Sequence, residues 1–426
     1  MNAQATTGAQ ESPAKPGPRA TPPLAGVRVL DLGRVIAAPL ASQMLADYGA
    51  EVIKLERVGV GDDARKMTAG CLHDRNGEKI LTETSILLMG NRNKKSLTIE
   101  FSKPEGQRLL HKLAAVSDVL IENFVPGTMQ RFNADYDTLS AINPRLIYCS
   151  VTGWGQTGPY RMRPGYDAVL QAATGFMSVT GPRDDLPGAG PARVGASVID
   201  IATGMNTAFA VMLALRQREF TGEGQYIDMS LHDNGIAMQA DNVQKYLLNG
   251  DLIGRHGTEN YGGAPARVFR TADGEVYIIA GMSNQFAALC KVLGVPALPE
   301  DKRFNGVMTR FNHRDELYPL IEPLIAKWNT AELLAVLEAA GVPGAAANNY
   351  RQVFEDPHTR ARAMTVHLEH PQSDRLDVIA SPIKMSKAPP RYSRPPLLGE
   401  HTDDVLGGLL GMSAADIQRL RDDGVV

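Results

Sequence analysis

The sequence predicts an α/β protein: a Rossmann-like open sheet in a large discontinuous domain, joined to a smaller α+β domain. The first observation is a strand, a helix and a second strand within residues 27–56, which predicts a parallel pair with a right-handed crossover. The second is that this alternation continues to residue 151. The third is that the strands are near-continuous apolar runs, which are typical of a sheet covered on both faces.

Each element of the first half has its own signal. Residues 27–32 are dense in β-branched and apolar side chains, which favours a strand. Pro39 can open a helix with Leu40, Met44 and Tyr48 on one face, and Gly49 ends it. Further strands are predicted at 51–56, 96–101, 118–122 and 145–151, with helices from Pro104 and near 136–142.

The second half follows a different order. Asp273-Gly274 predicts a hairpin before a strand at 275–279. The remaining expectations are a helix at 205–218, a turn at 221–225, a strand at 226–230, a long helix at 231–249, an irregular stretch at 250–267, two or three helices up to about 340, strands at 366–370 and 376–383, a Pro-rich link at 389–396 and a helix at 414–421. We therefore divide the chain into a disordered tail (1–23), the N-terminal part of the large domain (24–220), a small domain with linkers (221–345) and the C-terminal part of the large domain (346–426).

Composition excludes several classes of protein. The chain has 426 residues and a formal net charge of −3, which gives no electrostatic reason to expect nucleic acid or an anionic membrane as partner. Cys71, Cys149 and Cys290 are far apart, so neither a metal site nor a disulfide framework is expected. We see no apolar run near the roughly 18 residues that span a bilayer, and residues 1–23 lack the apolar core of a signal peptide. A cytoplasmic protein is the expectation.

Nucleotide cofactors are also disfavoured. Residues 33–38 stand where a Gly-x-Gly-x-x-Gly fingerprint would follow the first strand, and they do not match it. The sequence contains no phosphate-binding loop of the Gly-x-x-x-x-Gly-Lys type. A Rossmann oxidoreductase is therefore disfavoured, and we expect no permanently bound cofactor.

A single carboxylate, Asp200, lies in the small and apolar run 195–204, just before the predicted helix 205–218. The ordinary interpretation is that Asp200 caps this helix. A second interpretation is compatible with the first: the helix dipole and free amides keep the carboxylate anionic, and an anionic carboxylate in a water-poor setting is a candidate nucleophile.

Five motifs, taken together in their order and spacing, resemble the class III CoA-transferases, the family of formyl-CoA transferase and carnitine-CoA transferase. These motifs lie at 24–31, 50–56, 91–96, 122–127 and 396–402, and the resemblance covers residues 24–426. It implies that the substrates are an acyl-CoA thioester and a free carboxylic acid, with coenzyme A bound by the large domain. It also implies a homodimer whose two chains are threaded through each other.

The resemblance assigns roles to particular residues. Gly195 to Asp200 matches the family's Gly-x-x-x-x-Asp stretch, which makes Asp200 the nucleophile that forms an acyl anhydride and then an aspartyl-CoA thioester. By motif position, the coenzyme A contacts fall on Val35, Arg57, Ile99, Asn123, Phe124 and Arg131. Taken alone, an arginine such as Arg57 is more often a solvated surface residue. The phosphate-binding lysine of formyl-CoA transferases aligns with Ser102, beside Lys103.

The acyl pocket departs from the formyl-CoA transferases. Ile36 replaces a glutamine that serves the acyl group there, which argues against formate or oxalate. Gly262-Gly263 lies where the family places a Gly-rich loop that closes over the site, although the stretch is shorter here and an ordinary surface loop is the alternative. Tyr166 and Asp167 are assigned to the same substrate pocket.

Two other functions remain open at this point. An α-methylacyl-CoA racemase would carry Gly-His-Asp where this chain has Gly165-Tyr166-Asp167, and a tyrosine with a pKa near 10 is a poor base at pH 7. Tyr166 could instead be a buried aromatic residue with a satisfied hydroxyl. A non-catalytic acyl-CoA-binding protein would have no need of Asp200.

For the transferase we expect succinyl-CoA as donor and a small dicarboxylic acid as acceptor. Arginines that could pair with a distal carboxylate are Arg34, Arg161, Arg163 and Arg193.

Overall fold

The computed structural model describes residues 21–67 and 70–426. Most of the predicted tail 1–23 lies outside the described residues. By internal contacts the chain forms two compact units. Unit 1 comprises residues 1–151, 204–227 and 366–426, and unit 2 comprises residues 152–203 and 228–365. These borders do not coincide with the predicted domain borders at 221 and 346.

The strands alternate with helices through the first third of the chain, as the sequence predicts. They are β1 (Arg28–Asp31), β2 (Glu51–Glu56), β3 (Cys71–His73), β4 (Lys79–Thr84), β5 (Lys94–Thr98), β6 (Val119–Glu122), β7 (Ile147–Thr152), β8 (Tyr226–Ser230), β9 (Ala266–Arg270), β10 (Glu275–Ile279), β11 (Gly344–Ala346), β12 (Thr365–His370) and β13 (Ser373–Ile379).

The helices differ widely in length, from single turns to 24 residues. They are α1 (Ala37–Asp47), α2 (Ser85–Gly90), α3 (Pro104–Ala115), α4 (Thr128–Arg131), α5 (Tyr136–Ile142), α6 (Asp167–Ala173), α7 (Phe176–Val179), α8 (Val198–Thr221), α9 (Leu231–Ala237), α10 (Ala240–Asn249), α11 (Ser283–Val292), α12 (Val307–Asn312), α13 (Arg314–Ile325), α14 (Thr330–Ala339), α15 (Tyr350–Glu355), α16 (Pro357–Ala361) and α17 (Ala414–Asp422). Short 3₁₀ turns at Asp63–Lys66 and Leu298–Glu300 and a π-helical turn at Asp404–Leu409 complete the described elements.

The predicted open α/β sheet is confirmed. It has six strands in the order β5-β2-β1-β6-β7-β8, and the pairs β1/β2, β1/β6, β2/β5 and β6/β7 are parallel. The chain leaves β1 towards β2 and later returns to the other side of β1 with β6. Ligands of open α/β sheets bind at the carboxyl ends of the strands where the order reverses in this way.

The core of unit 1 joins distant parts of the chain. Leu30, Leu55 and Leu120 of the sheet pack with Leu110 of α3 and with Val425, near the end of the chain. The backbone amide of Glu100 also donates to the carbonyl of Val425 at 2.9 Å. The two termini of the described chain therefore belong to one core, as the predicted discontinuous domain requires.

Unit 2 contains an antiparallel sheet of three strands in the order β11-β10-β9, with α11, α13 and α14 packed against it. The predicted hairpin is confirmed: β9 and β10 pair around Asp273-Gly274, and the amide of Thr271 donates to the carbonyl of Gly274 at 2.9 Å.

Several predicted boundaries were wrong. The single helix at 231–249 is two helices, α9 and α10, because the chain turns at Met238 and Gln239, where the Gln239 amide group donates to the carbonyls of Thr174 and Gly235. The strand predicted at 96–101 lies two residues earlier, as β5. Helix α1 is buried at nine of its eleven residues, and the two half-buried ones are Leu40 and Met44, so the buried surface extends beyond the single predicted face.

Helix α8 corrects the statement that no apolar run approaches membrane length. By length and composition alone it could cross a membrane, with a mean hydropathy of 1.7 over its most apolar window, of which 44% is buried inside the protein. Core helices of soluble proteins share these properties.

Candidate active site

Asp200 lies in the first turn of α8 but does not cap it. The helix begins at Val198, so Asp200 is its third residue, and the first intrahelical bond runs from the amide of Ile201 to the carbonyl of Ser197. The cap is supplied instead by Asp167, whose Oδ1 accepts hydrogen bonds from the amides of Ile199 (2.8 Å) and Asp200 (3.2 Å). The N-cap interpretation of Asp200 was therefore wrong: a carboxylate from another helix does that task.

Asp167 is held in place by Gln171, which lies one turn later on the same helix, α6. The side-chain amide of Gln171, one turn later, donates to Asp167 Oδ2 at 2.6 Å, and its oxygen accepts from the amide of Val194 at 2.8 Å. Both carboxylate oxygens of the buried Asp167 are thus occupied. Asp167 therefore supports the helix that carries Asp200, and its assignment to the substrate pocket stays a prediction.

Gln171 was missed by the sequence analysis. A signal for it existed: Gln171 follows Asp167 by four residues, a spacing at which side chains on a helix contact each other.

Ionisation of Asp200 is opposed by its surroundings. Burial, and secondarily the negative charge of Asp167, raise the pKa of Asp200 to about 7. We expected free amides to hold this carboxylate anionic, but the amides of Ile199 and Asp200 are bonded to Asp167 instead. Within the described residues the Asp200 carboxylate accepts no hydrogen bond, so it is a poorly solvated and weakly stabilised anion. These are properties of a reactive nucleophile.

Tyr166 precedes Asp167 at the beginning of α6 and is 68% exposed, so it is not the buried aromatic residue considered above. Gly165 is required by a close approach of two chain segments. A Cβ atom added to it would lie 2.5 Å from the Cα atom of Gly153. The Gly-Tyr-Asp sequence therefore combines a backbone crossing with a helix cap.

Gly262 and Gly263 lie in the turn that leads into β9, and Gly262 has a φ of +90°. A Cβ atom on Gly262 would meet nothing within 4 Å, whereas Gly263 packs against Gly281. The side chain of neighbouring Tyr261 contacts the rings of His256 and Phe311. Closure of this loop over a substrate stays a prediction.

A second group of predicted residues meets in unit 1, at the carboxyl ends of β1 and β6. A pocket of about 250 Å³ lies there, and its lining includes Arg57, Ile99 and Phe124, three of the six predicted coenzyme A contacts. Arg34, Phe101 and Phe132 complete much of its wall. The pocket therefore combines aromatic and aliphatic walls with two guanidinium groups at its edge.

The other predicted contacts lie beside this wall rather than in it. The side-chain amide of Asn123 bonds both backbone groups of Arg34, which shapes the turn after β1. Val35 lies in that turn. Arg131 is exposed at the end of α4, where it donates to Thr128 Oγ1 at 3.3 Å, and its neighbour Phe132 reaches the pocket.

The pocket lining carries two guanidinium groups, those of Arg34 and Arg57, together with the carboxylates of Glu56, Asp62 and Glu100. Arg34 and Arg57 share one carboxylate, Asp63, at 3.0 Å and 3.8 Å. The Arg34 guanidinium also lies 4.7 Å from the centre of the Phe124 ring. Its Nε atom is buried and has no hydrogen-bond partner within the described residues. Asp62 and Glu56 are paired with Lys54 and Arg65, so Arg34 and Arg57 are the cations of this edge that a phosphate group could meet.

The lysine beside Ser102 is not available for such a site. Lys103 Nζ donates to the carbonyl oxygens of Asp423 and Gly424 at the C-terminus. Ser102 Oγ donates to Glu100 Oε1 at 2.7 Å. Arg34, predicted only as a possible partner of a distal carboxylate, lies in the pocket wall together with Arg57. Within residues 21–67 and 70–426, no cluster of three or more His, Cys, Asp or Glu side chains could hold a metal ion.

The sequence profile of CoA-transferase family III matches residues 24–402 of this chain. The chain belongs to CoA-transferase family III. Among curated relatives, a succinate–glutarate CoA-transferase of Agrobacterium fabrum is 39% identical over 393 residues, covering 92% of this chain and 97% of the relative. A succinyl-CoA:glutarate CoA-transferase of Homo sapiens is 37% identical and covers 95% and 90%.

A solved structure shares the fold. A CAIB/BAIF family protein from Brucella suis superposes with a TM-score of 0.82 at 37% identity, covering 91% of this chain and all of that one. The protein is therefore a family III CoA-transferase that acts on acyl-CoA thioesters, as the sequence predicted.

Proposed function

We propose that this enzyme transfers coenzyme A from succinyl-CoA to a small dicarboxylic acid such as glutarate. The observation that carries the proposal is the 39% identity, over nearly the full length of both chains, to a succinate–glutarate CoA-transferase. Ile36 supports it, since this buried apolar residue stands where formyl-CoA transferases use a glutamine. An apolar wall suits the methylene groups of succinate and glutarate.

Asp200 is the nucleophile in this proposal. Its carboxylate attacks the thioester carbonyl, the C–S bond breaks, and an acyl anhydride forms while coenzyme A leaves as thiolate. The thiolate then attacks the Asp200 carbonyl and releases the first acid, leaving an aspartyl-CoA thioester. The acceptor carboxylate attacks this thioester and expels coenzyme A thiolate, which leaves a second anhydride between the acceptor and Asp200. The thiolate then attacks the acceptor's acyl carbonyl, forms the new acyl-CoA and releases the Asp200 carboxylate. Each step exchanges one anion for another, so no proton is transferred.

The pocket in unit 1 binds part of coenzyme A in this proposal. Arg57 and Arg34 face its phosphate groups, with the unused Arg34 Nε as an additional donor. Ile99 and Phe124 supply an apolar surface for the adenine ring. Replacing Arg57 therefore affects binding of the acyl-CoA and not of the free acid.

Arg193 is our candidate for the distal carboxylate of the acid. It is exposed, belongs to the same segment of unit 2 as Asp200, and donates only to the backbone carbonyls of Val194 and Gly195. Arg163, by comparison, is stacked 3.6 Å from the centre of the Tyr160 ring. We expect Arg193→Gln to impair transfer to glutarate and to leave the low activity with valerate unchanged.

The substrate proposal is tested with matched acceptors. With succinyl-CoA as donor, kcat/KM is measured for glutarate against valerate, which has the same chain length but one carboxylate. Valerate cannot pair with the guanidinium, so kcat/KM for valerate should be lower by about tenfold or more, the order of effect of one hydrogen bond to a charged group. Equal values would show that no distal carboxylate is recognised.

The role of Asp200 is tested separately. Mass spectrometry of the protein after incubation with succinyl-CoA should show a covalent adduct on the wild type and none on Asp200→Ala. Replacing one side chain in the first turn of a 24-residue helix should leave the fold intact. Circular dichroism will check this. Near-wild-type transfer by the variant would remove Asp200 from the mechanism.

We also propose the homodimer with threaded chains. Its support is a row of exposed apolar side chains along α8, a surface that a single chain leaves in water: Met205, Phe209, Met212, Leu213 and Phe220. Threaded chains cannot separate without unfolding, so dilution to nanomolar concentration should leave only dimer in mass photometry. Native monomer would contradict the proposal.

A further inference from the structure

The turn after β1 has an unfavourable backbone conformation. Val35 has a φ of +67°, in the left-handed region that L-residues avoid and that is most costly for β-branched side chains. Gly33 begins the turn, and a Cβ atom there would lie 2.5 Å from the Ala38 side chain. A conformation of this kind persists only when its surroundings impose it.

Buried and half-buried side chains bond each residue of the turn from Gly33 to Val35. Asp31 accepts a hydrogen bond from the amide of Gly33 at 2.8 Å, and Lys54 Nζ donates to the Gly33 carbonyl at 2.8 Å. The side-chain amide of Asn123 bonds both backbone groups of Arg34, at 2.9 Å and 2.8 Å.

Val35 itself is held by Asp62. Its amide donates to Asp62 Oδ1 at 3.1 Å, and the same oxygen accepts from the amide of Ala64 at 2.9 Å. Asp62 therefore bonds both the left-handed residue Val35 and the first turn of the 3₁₀ helix at Asp63–Lys66. The first residue of that helix, Asp63, pairs with Arg34 and Arg57.

Asp62 is not an isolated charge. Its Oδ2 lies 2.8 Å from Lys54 Nζ, and both side chains are almost completely buried. The amide of Asp62 also donates to Glu56 Oε2 at 3.0 Å, and Glu56 is paired with Arg65. Buried ion pairs are weak contributors to stability compared with apolar residues of the same size, so their retention calls for another reason.

We propose that Asp62, together with Lys54, is a positioning residue for acyl-CoA binding. The pair keeps Val35 left-handed and thereby directs Arg34 towards the pocket in unit 1. Arg34 lines that pocket, and its Nε has no hydrogen-bond partner within the described residues. This inference rests on the proposed function of that pocket as the coenzyme A site.

The test replaces the ion pair with apolar residues, because removing Asp62 alone would leave Lys54 buried without a partner. The double variant Lys54→Met/Asp62→Leu is compared with a control that treats another buried pair of unit 1 in the same way, Asp47→Leu/Arg92→Met. Binding of free coenzyme A is measured by calorimetry, and KM is measured for succinyl-CoA and for glutarate.

We expect the Lys54/Asp62 variant to weaken coenzyme A binding and to raise KM for succinyl-CoA about tenfold. Without Asp62, Val35 can leave the left-handed conformation, and restoring that conformation on binding costs about 1–2 kcal/mol. KM for glutarate stays unchanged. Adding Val35→Gly should restore part of the loss, because glycine takes a φ of +67° without strain. The control pair should leave coenzyme A affinity unaltered.

The outcomes separate the two claims. If the Lys54/Asp62 variant binds coenzyme A like the wild type, or if Val35→Gly restores nothing, the positioning role is refuted. If Arg57→Gln binds coenzyme A as tightly as the wild type, the pocket assignment itself is wrong. Should the double variant fail to fold, Lys54→Met/Asp62→Asn decides, because it removes both buried charges and keeps the acceptor for Val35: coenzyme A affinity should then stay near that of the wild type, and a loss of about tenfold would refute the positioning role of Asp62.

Discussion

Replacing Asp167 with asparagine should shift the pH dependence of transfer. The side-chain oxygen of the introduced amide can still accept from the amides of Ile199 and Asp200, so the cap on α8 is kept. What disappears is the negative charge that, after burial, contributes to the raised pKa of Asp200. Because only ionised Asp200 attacks the thioester, removing that charge extends activity to lower pH.

The size of the shift is limited by the order of the two causes. Burial raises the pKa of Asp200 more than Asp167 does, so Asp167 accounts for less than half of the rise from 3.8 to about 7. From a pKa of about 7 in the wild type, we expect the acidic limb of the kcat/KM profile to move to about 6. At pH 5.5 the ionised fraction then rises by a factor of about eight.

The assay is the pH profile of kcat/KM with succinyl-CoA and glutarate between pH 5 and 9. Asp273→Asn is the matched control, since Asp273 accepts from the amide of Thr330 at the start of α14 in the same unit and lies in no predicted site. Titration of the substrates affects both variants equally. An unchanged acidic limb in Asp167→Asn, with the fold intact, would refute the electrostatic role of Asp167.

Three further outcomes are expected. Asp200→Asn should raise the free energy of unfolding at pH 8 by up to about 4 kcal/mol, because the native state no longer holds an ionised carboxylate whose pKa is raised from 3.8 to about 7. The gain should shrink as the pH falls below 7 and vanish below the unfolded-state pKa of 3.8, where that carboxyl is protonated in both states. Equal stability at pH 8 would contradict the raised pKa. Gly195→Val should leave the melting temperature unchanged, since a Cβ atom there meets nothing within 4 Å. The added side chain should nevertheless reduce the rate of transfer at least about tenfold, because it crowds the acyl group of the substrate. Unchanged kinetics would show that the substrate does not approach Gly195. Arg57→Gln should raise KM for succinyl-CoA about tenfold by loss of a charged hydrogen bond and leave KM for glutarate as it is, whereas equal effects on both substrates would point to a general structural role.

Local signals in the sequence were sufficient for the elements that build the sheet. Strand β2 and helix α5 have the predicted bounds, and α3 begins at Pro104 as expected. Such segments are determined by hydrophobic pattern and by helix-starting residues, which act over a few neighbours. The two helices at 231–249 were predicted as one, because the break depends on bonds from Gln239 to residues distant in sequence or one turn away.

The candidate site divides in the same way. The sequence by itself determined that Asp200 is a lone carboxylate in a small-residue run at the start of a helix, and that the chain resembles the CoA-transferases. Only the tertiary structure decided which carboxylate caps that helix and which one is left without a hydrogen bond. Asp167 and Asp200 are 33 residues apart. The hydrophobic pattern within either segment does not predict that the side chain of Asp167 contacts the backbone of Asp200. The pKa of Asp200 depends on that meeting and on burial, both of which exist only in the folded chain.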